Sequence, residues 1–365
     1  MKKSILISII FLVILSIWFM FKPTSISNVE KVNIGILAPM SGNSADYGKK
    51  CQKSIYLAQN LFDYNKTNLI FEDTEALPKK GISSTLKLIK KDNTIAIIGG
   101  ILSSVTIPTA QISEKNKVIQ IATTSSSPKI TNLGDYIYRV WPSDEYEGTV
   151  MAQEAIKKYK KIAILYMNND YGLNIGNIFA KVFKELGGEV LYQEAYLKDE
   201  NSFKKYLIKL KEKKIPALYI AGYYKDTALI AKQAHENNYQ PQFYGTTAIE
   251  DEKFIEIGGK SVNGFIYPIA SKFDVNANDI SKLFFNNFKD KYSYEPGWVE
   301  SHCFDASMII FDAINKGNAT SSIDVKKYID EQKYFSGATG KIIFDKNGDV
   351  KSDMIIKTVV DGKFQ

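Results

Sequence analysis

The sequence predicts an α/β protein made of two open, mostly parallel sheets, and three observations carry that reading. Short apolar runs alternate along nearly the whole chain with longer stretches of helical periodicity, the pattern of repeated βα units. The four apolar residues 95–98 suit a strand covered on both faces, and Gly99-Gly100 turns it straight into a helix through Ile107, Ala110 and Ile112. The rhythm breaks at residues 138–147 and then resumes, so two such layered units follow one another. At 365 residues, 45% hydrophobic and 24% charged, the chain can bury both cores.

Taken in order, Lys2 and Lys3 precede an apolar run over residues 5–21 that only serines interrupt. Residues 1–27 therefore read as a signal peptide or an uncleaved anchor near residues 4–21, and the protein as exported to the periplasm or another extracytoplasmic space. Ser25-Ile26-Ser27 is the small-x-small pattern at which cleavage is expected. Residues 32–38 form a strand ending in the turn Pro39-Met40-Ser41-Gly42, and Asp46-Tyr47-Gly48 leads a helix through Phe62. Strand 69–72 and a helix carrying Ile82, Leu86 and Ile89 make the second unit; residues 95–106 open the third, with Ser103 or Ser104 expected to cap its helix. Strand 118–122 ends in a loop rich in hydroxyls, residues 123–127.

Residues 138–147 read as the first crossover between domains, with a helix from Gly148 or just before it. Strands 161–167, 189–195, 217–221 and 242–244 then alternate with helices 171–186, 202–211 and 225–237. A strand near Phe265, helices at 282–290 and 302–315, and a hairpin-like close joining 341–344 to 354–360 around Asn347-Gly348 complete the pattern.

Charge and motifs narrow the function. Without residues 1–27 the chain has 44 basic and 40 acidic residues, a charge of +4, and its lysines are spread along helix faces, which argues against nucleic acid as a partner. Cys51 shares a helical face with Ile55 and Ala58, and Cys303 one with Ile310 and Ile314; this reads as two buried thiols in separate core helices, a single bridge being the alternative. His235 and His302 belong to no metal or triad motif, and the first strand leads to no GxGxxG, so neither a reaction nor a cofactor is expected. The strand ends collect hydroxyls and tyrosines instead: Ser103, Ser104, Thr124, Ser126, Tyr47, Tyr171, Tyr223, Thr246 and Thr247. The carboxyl ends of open parallel sheets are where ligands bind, and the start of the Ser103 helix offers N–H groups and a positive dipole end to a small anion.

Several segments together resemble the periplasmic branched-chain amino-acid binding protein family, the type I solute-binding proteins of ABC importers. They are residues 34–42 with Tyr47-Gly48, residues 98–108 and 122–128, Asn169-Asp170-Tyr171-Gly172, Ala221-Gly222-Tyr223-Tyr224, Phe243-Tyr244-Gly245, and 337–345 with Gly348. The resemblance implies two three-layer lobes, residues 28–143 with 271–330 and residues 144–270 with 331–365, joined by a three-strand hinge. It implies that they close on a small amino-acid-like or carboxylate solute and present it to a membrane ABC permease, or, alternatively, report it as a sensor. It places the solute carboxylate at Ser103, Thr124 and Ser126, with Tyr47, Tyr171 and Tyr223 closing the cleft, and Leu102 and Ser104 beside them are expected to bind the solute as well. At the family's acidic position, which holds the solute ammonium, this chain has Thr247. Either Glu250 takes over, or the solute lacks a free α-amino group; the second is preferred, because the hydroxyls suit a neutral or anionic solute.

Overall fold

The computed structural model describes residues 31–62, 65–270 and 274–365. The expected signal or anchor over residues 1–27 lies outside them, and no helix among the described residues is long and apolar enough to cross a membrane. The first sheet is built from β1 (Val32–Ala38), β2 (Thr67–Asp73), β3 (Ala96–Ile98), β4 (Ile119–Ala122) and β5 (Ile137–Arg139), all parallel, in the order β2-β1-β3-β4-β5. Between them run α1 (Ala45–Leu61), α2 (Pro78–Lys90) and α3 (Ser103–Lys115). Successive strand residues point to opposite faces, and both faces are apolar. Leu37, Ile97 and Val118 pack with Leu88 of α2, while Ile36, Ile98 and Ile121 pack in the same core as Cys51 and Ile55 of α1.

The second sheet repeats the scheme. It takes β6 (Lys161–Met167), β7 (Glu189–Tyr196), β8 (Ala217–Ala221), β9 (Gln242–Tyr244) and β10 (Ile266–Ala270), with α4 (Asp144–Lys158), α5 (Asp170–Glu185), α6 (Lys204–Glu212), α7 (Tyr224–Glu236) and α8 (Glu252–Gly258) around them. Ile162 and Ile164 face Phe179 and Phe183 of α5, and the alternate residues Ala163 and Leu165 belong to a core with Leu207 and Ile230 from α6 and α7. Two C-terminal strands, β13 (Met354–Val360) and β14 (Lys363–Phe364), complete the order β14-β13-β10-β9-β8-β6-β7, β13 lying antiparallel to β10.

Three expectations are corrected. Residues 138–147 are not crossover throughout: β5 extends the first sheet, pairing Gln120 with Ile137 and Ala122 with Arg139, and α4, expected from Gly148 or just before it, starts at Asp144. Three residues are too few to display strand alternation, and the early helix start follows from Ser143, which accepts the Glu145 N–H, and from Asp144, Glu145 and Glu147 in the positive first turn. The hairpin between 341–344 and 354–360 does not form. Instead β12 (Gly340–Ile342) pairs with β11 (Phe335–Gly337), and Gly348 and Asp349 lie against β5, where Gly348 O accepts the Arg139 N–H at 2.9 Å and Asp349 pairs with the Arg139 guanidinium at 2.6 Å. Finally, Cys51 and Cys303 are bridged, with Cα atoms 5.2 Å apart.

The bridge ties α1 to α10 (Trp298–Asn315), which is buried along almost its whole length. The neighbouring α9 (Asp279–Tyr292) packs on α1, and α11 (Ser322–Glu331) on α10 and β4, so this part of the chain returns to the first sheet.

Candidate ligand-binding cleft

The carboxyl ends of β3 and β4 lie side by side, and each delivers hydroxyls to the same place. Gly99 permits the approach: its φ is +124°, and a Cβ there would sit 2.3 Å from Leu37 O. The helix α3 that follows has Leu102 at its N-cap, and no side chain caps it, so the expected capping role of Ser103 or Ser104 is corrected. Ser103 Oγ instead accepts the N–H groups of Ser126 and Ser127, each at 3.2 Å. With its acceptor capacity used by the neighbouring loop, its hydroxyl proton is left to donate. Thr124 Oγ1 donates to Ile101 O at 3.0 Å, joining the two strand ends. Behind the loop, the fully buried Arg139 donates from Nη1 to Ser126 O at 3.1 Å and to Ser127 O at 3.0 Å.

The opposite wall joins Tyr171 and Tyr223, from helices of the second sheet, to Tyr47 of α1 and Trp298 of α10, which belong with the first. Tyr171 in the first turn of α5 stacks on Tyr223 at the head of α7, ring centroids 5.2 Å apart. Tyr47 on α1 meets Tyr223 and Trp298 edge-on, at 6.3 and 5.9 Å, and its hydroxyl donates to Ala248 O at 3.1 Å. Trp141 packs against Trp298 at 5.1 Å. Burial pushes the Tyr47, Tyr171 and Tyr223 phenols up, so they stay neutral.

These groups enclose ≈ 380 Å³ of space, the open mouth included. Of the residues singled out in the sequence, Tyr47, Leu102, Ser103, Thr124, Ser126, Tyr171, Tyr223 and Thr247 line it; Ser104 lies in an adjoining outer cleft with Asn43, Asn169 and Asp226. Sequence reasoning did not find Ile101, Trp141, Glu147, Ala248 or Trp298, which line it too. Glu250 does not replace the missing acid at position 247. Its carboxylate accepts from Tyr267 at 2.7 Å and from Lys357 at 3.1 Å, outside the cleft lining.

The carboxyl group inside the cleft belongs to Glu147. Its Oε1 accepts the Thr247 N–H at 2.7 Å, while Thr247 Oγ1 donates away to Pro268 O at 2.7 Å. Burial and the neighbouring Asp144 push Glu147 up to about 8, against the pull of its bonds from Thr247. Burial likewise pushes Asp144 up to about 7, opposed by the Ser126 hydroxyl and the Arg139 charge.

A cleft between the carboxyl ends of two parallel sheets, walled by hydroxyls on one side and rings on the other, defines a two-lobed, clamshell solute-binding protein. The chain belongs to the periplasmic binding protein family, whose model matches residues 31–363. The family is one of extracytoplasmic solute-binding proteins. A curated relative, the Leu/Ile/Val-binding protein homolog 3 of Brucella melitensis, is 23% identical, the match covering 88% of this chain and 89% of that one. Among solved structures, the leucine-binding protein LivK of Thermotoga maritima is 27% identical, with a TM-score of 0.85 over 92% of this chain and 97% of its own. A solute-binding protein of an ABC transporter from R. palustris, in complex with benzoate, has a TM-score of 0.84 and is 18% identical, covering 92% of this chain and 95% of its own.

Proposed function

We propose that the protein captures a small amino-acid-like or carboxylate solute between two lobes and delivers it to a membrane ABC permease, binding it without reaction. The observation that carries this reading is the meeting of the Ser103, Thr124 and Ser126 hydroxyls, at the uncapped start of α3, with the tyrosine wall opposite. A helix start with free N–H groups and a donating hydroxyl suits a carboxylate, and the rings suit an apolar body. The relatives support both solute classes, since one is named for leucine, isoleucine and valine and another holds benzoate.

The lobes follow the sheets. Residues 32–143 with 274–349 go with the first, because α9 to α11 and the Arg139–Asp349 pair hold that stretch to it, and residues 144–270 with 354–364 go with the second. This moves 331–349 to the first lobe. The test is calorimetric titration of solute-stripped protein with the standard amino acids and with benzoate and short-chain carboxylates. Saturable binding of one of these is expected, and absence of binding by both classes would overturn the reading.

A further inference from the structure

The Cys51–Cys303 bridge stands directly behind the cleft. Tyr47 lies one helical turn ahead of Cys51 on α1, and Trp298 opens α10 about one turn ahead of Cys303. The Tyr47 and Trp298 rings meet at 5.9 Å and the cysteines are joined, so the two helices run side by side in the same direction. Their first turns reach the cavity, and both cysteines are buried just beneath.

These first turns also hold the segment that follows β9. The Tyr47 hydroxyl donates to Ala248 O at 3.1 Å, Trp298 Nε1 donates to Glu250 O at 3.2 Å, Lys50 pairs with Asp251 at 2.7 Å, and Asp46 pairs with Lys253. That segment is fixed in turn to the second sheet, since Glu250 accepts from Tyr267 on β10 and Lys357 on β13. Tyr47 and Trp298 thus line the cavity and hold its far side at once, and both tasks depend on how α1 and α10 are spaced at their first turns. No side chain caps α1 at Ser44. An uncapped first turn has N–H groups without helical partners and is where a helix frays. Fraying would let the Tyr47 ring drift from Trp298, and ordering it again would subtract from the affinity for a solute. A bridge serving stability alone could join these helices anywhere along their length; this one sits at the end that meets the cavity.

We infer that the Cys51–Cys303 bridge is a positioning element of the solute site: it holds the first turns of α1 and α10 as one jaw, so that Tyr47 and Trp298 meet the solute and residues 248–251 already in register, and the bridged protein binds solute more tightly than the same protein without the bridge. This rests on the solute-binding reading above.

The test titrates solute-stripped wild type with the standard amino acids, benzoate and short-chain carboxylates, and then titrates the Cys51→Ala, Cys303→Ala protein with whichever of them binds, at a temperature where circular dichroism shows both proteins folded. Affinity should fall at least about fivefold, the lower end of the usual coupling between two sites. A double-mutant cycle with Tyr47→Phe separates positioning from a general loosening. Removing the hydroxyl should weaken binding in the bridged protein and weaken it less once the bridge is gone, because the jaw through which it acts is already loose. Should the double alanine variant fail to fold, Cys51→Val, Cys303→Ala, which refills part of the space the sulfurs leave, takes its place in both titrations. Unchanged affinity in the folded, bridge-free protein, or a Tyr47→Phe effect as large or larger without the bridge, would overturn the inference while the solute-binding reading stands. Failure of wild type to bind either class would overturn the proposed function itself, and this inference with it.

Discussion

Ser103 holds two backbone N–H groups with one oxygen and keeps a proton for the cleft, so its removal acts twice. Ser103→Ala should cost about 1–3 kcal/mol of solute affinity, the range for a hydrogen bond to a charged group, and should lower stability as well, because two buried donors lose their acceptor. Titration and thermal unfolding of the same variant check both effects; unchanged affinity would reduce Ser103 to a support for the loop. The buried carboxyls give a second prediction at this scale. Asp144 and Asp305 are pushed up to about 7 and Glu147 to about 8, each chiefly by burial, so the folded chain retains protons that the unfolded chain has lost. For a raised carboxyl, stability is present at lower pH and is lost as pH rises through the folded value. His302, held down to about 4 by burial, acts in the opposite sense, but only below its ordinary value of 6.5. The Tm of the solute-free protein should therefore fall between pH 6.5 and pH 8, and a flat or rising Tm across that window would contradict these assignments.

Among the elements, α1 and α10 form the covalently tied core of the first sheet, their cysteines 252 positions apart in sequence. Closing so long a loop restricts the unfolded chain, and the usual worth of such a bridge is about 2–4 kcal/mol. A Cys51→Ala, Cys303→Ala protein should thus unfold at a lower temperature than wild type by calorimetry, and added reductant should shift wild type the same way while leaving the double variant unmoved. The sequence placed both cysteines correctly on buried helix faces and still could not pair them, because pairing depends on how α10 returns across the sheet from late in the chain. The same limit explains the other omissions. Ser103, Thr124, Ser126, Tyr171 and Tyr223 were legible because they follow strand ends, where parallel topology alone gathers side chains. Glu147 looks locally like a carboxylate complementing a helix dipole, and Trp141 and Trp298 like packing; only the position of α4 and α10 relative to the other sheet turns them toward the cleft. The hairpin expectation failed for a related reason: Asn347-Gly348 is a good turn, but Arg139 claims Asp349, and β10 offers β13 an open edge.

Across the molecule, side chains from the two sheets grip one another around the cleft. Lys50 on α1 pairs with Asp251 at 2.7 Å, Lys129 with Asp170 on α5 at 2.6 Å, and the Tyr224 hydroxyl donates to Asp46 at 3.1 Å. Partly exposed pairs of this kind are individually worth about 1 kcal/mol or less, so they bias closure without fixing it. A solute that contacts both the α3 hydroxyls and the tyrosine wall adds affinity only to the closed arrangement and shifts the population toward it. The most direct measurement is small-angle scattering of solute-stripped protein, alone and saturated with the solute that binds. The account predicts a smaller radius of gyration at saturation, and an unchanged radius with the site fully occupied would contradict closure of two lobes on a solute.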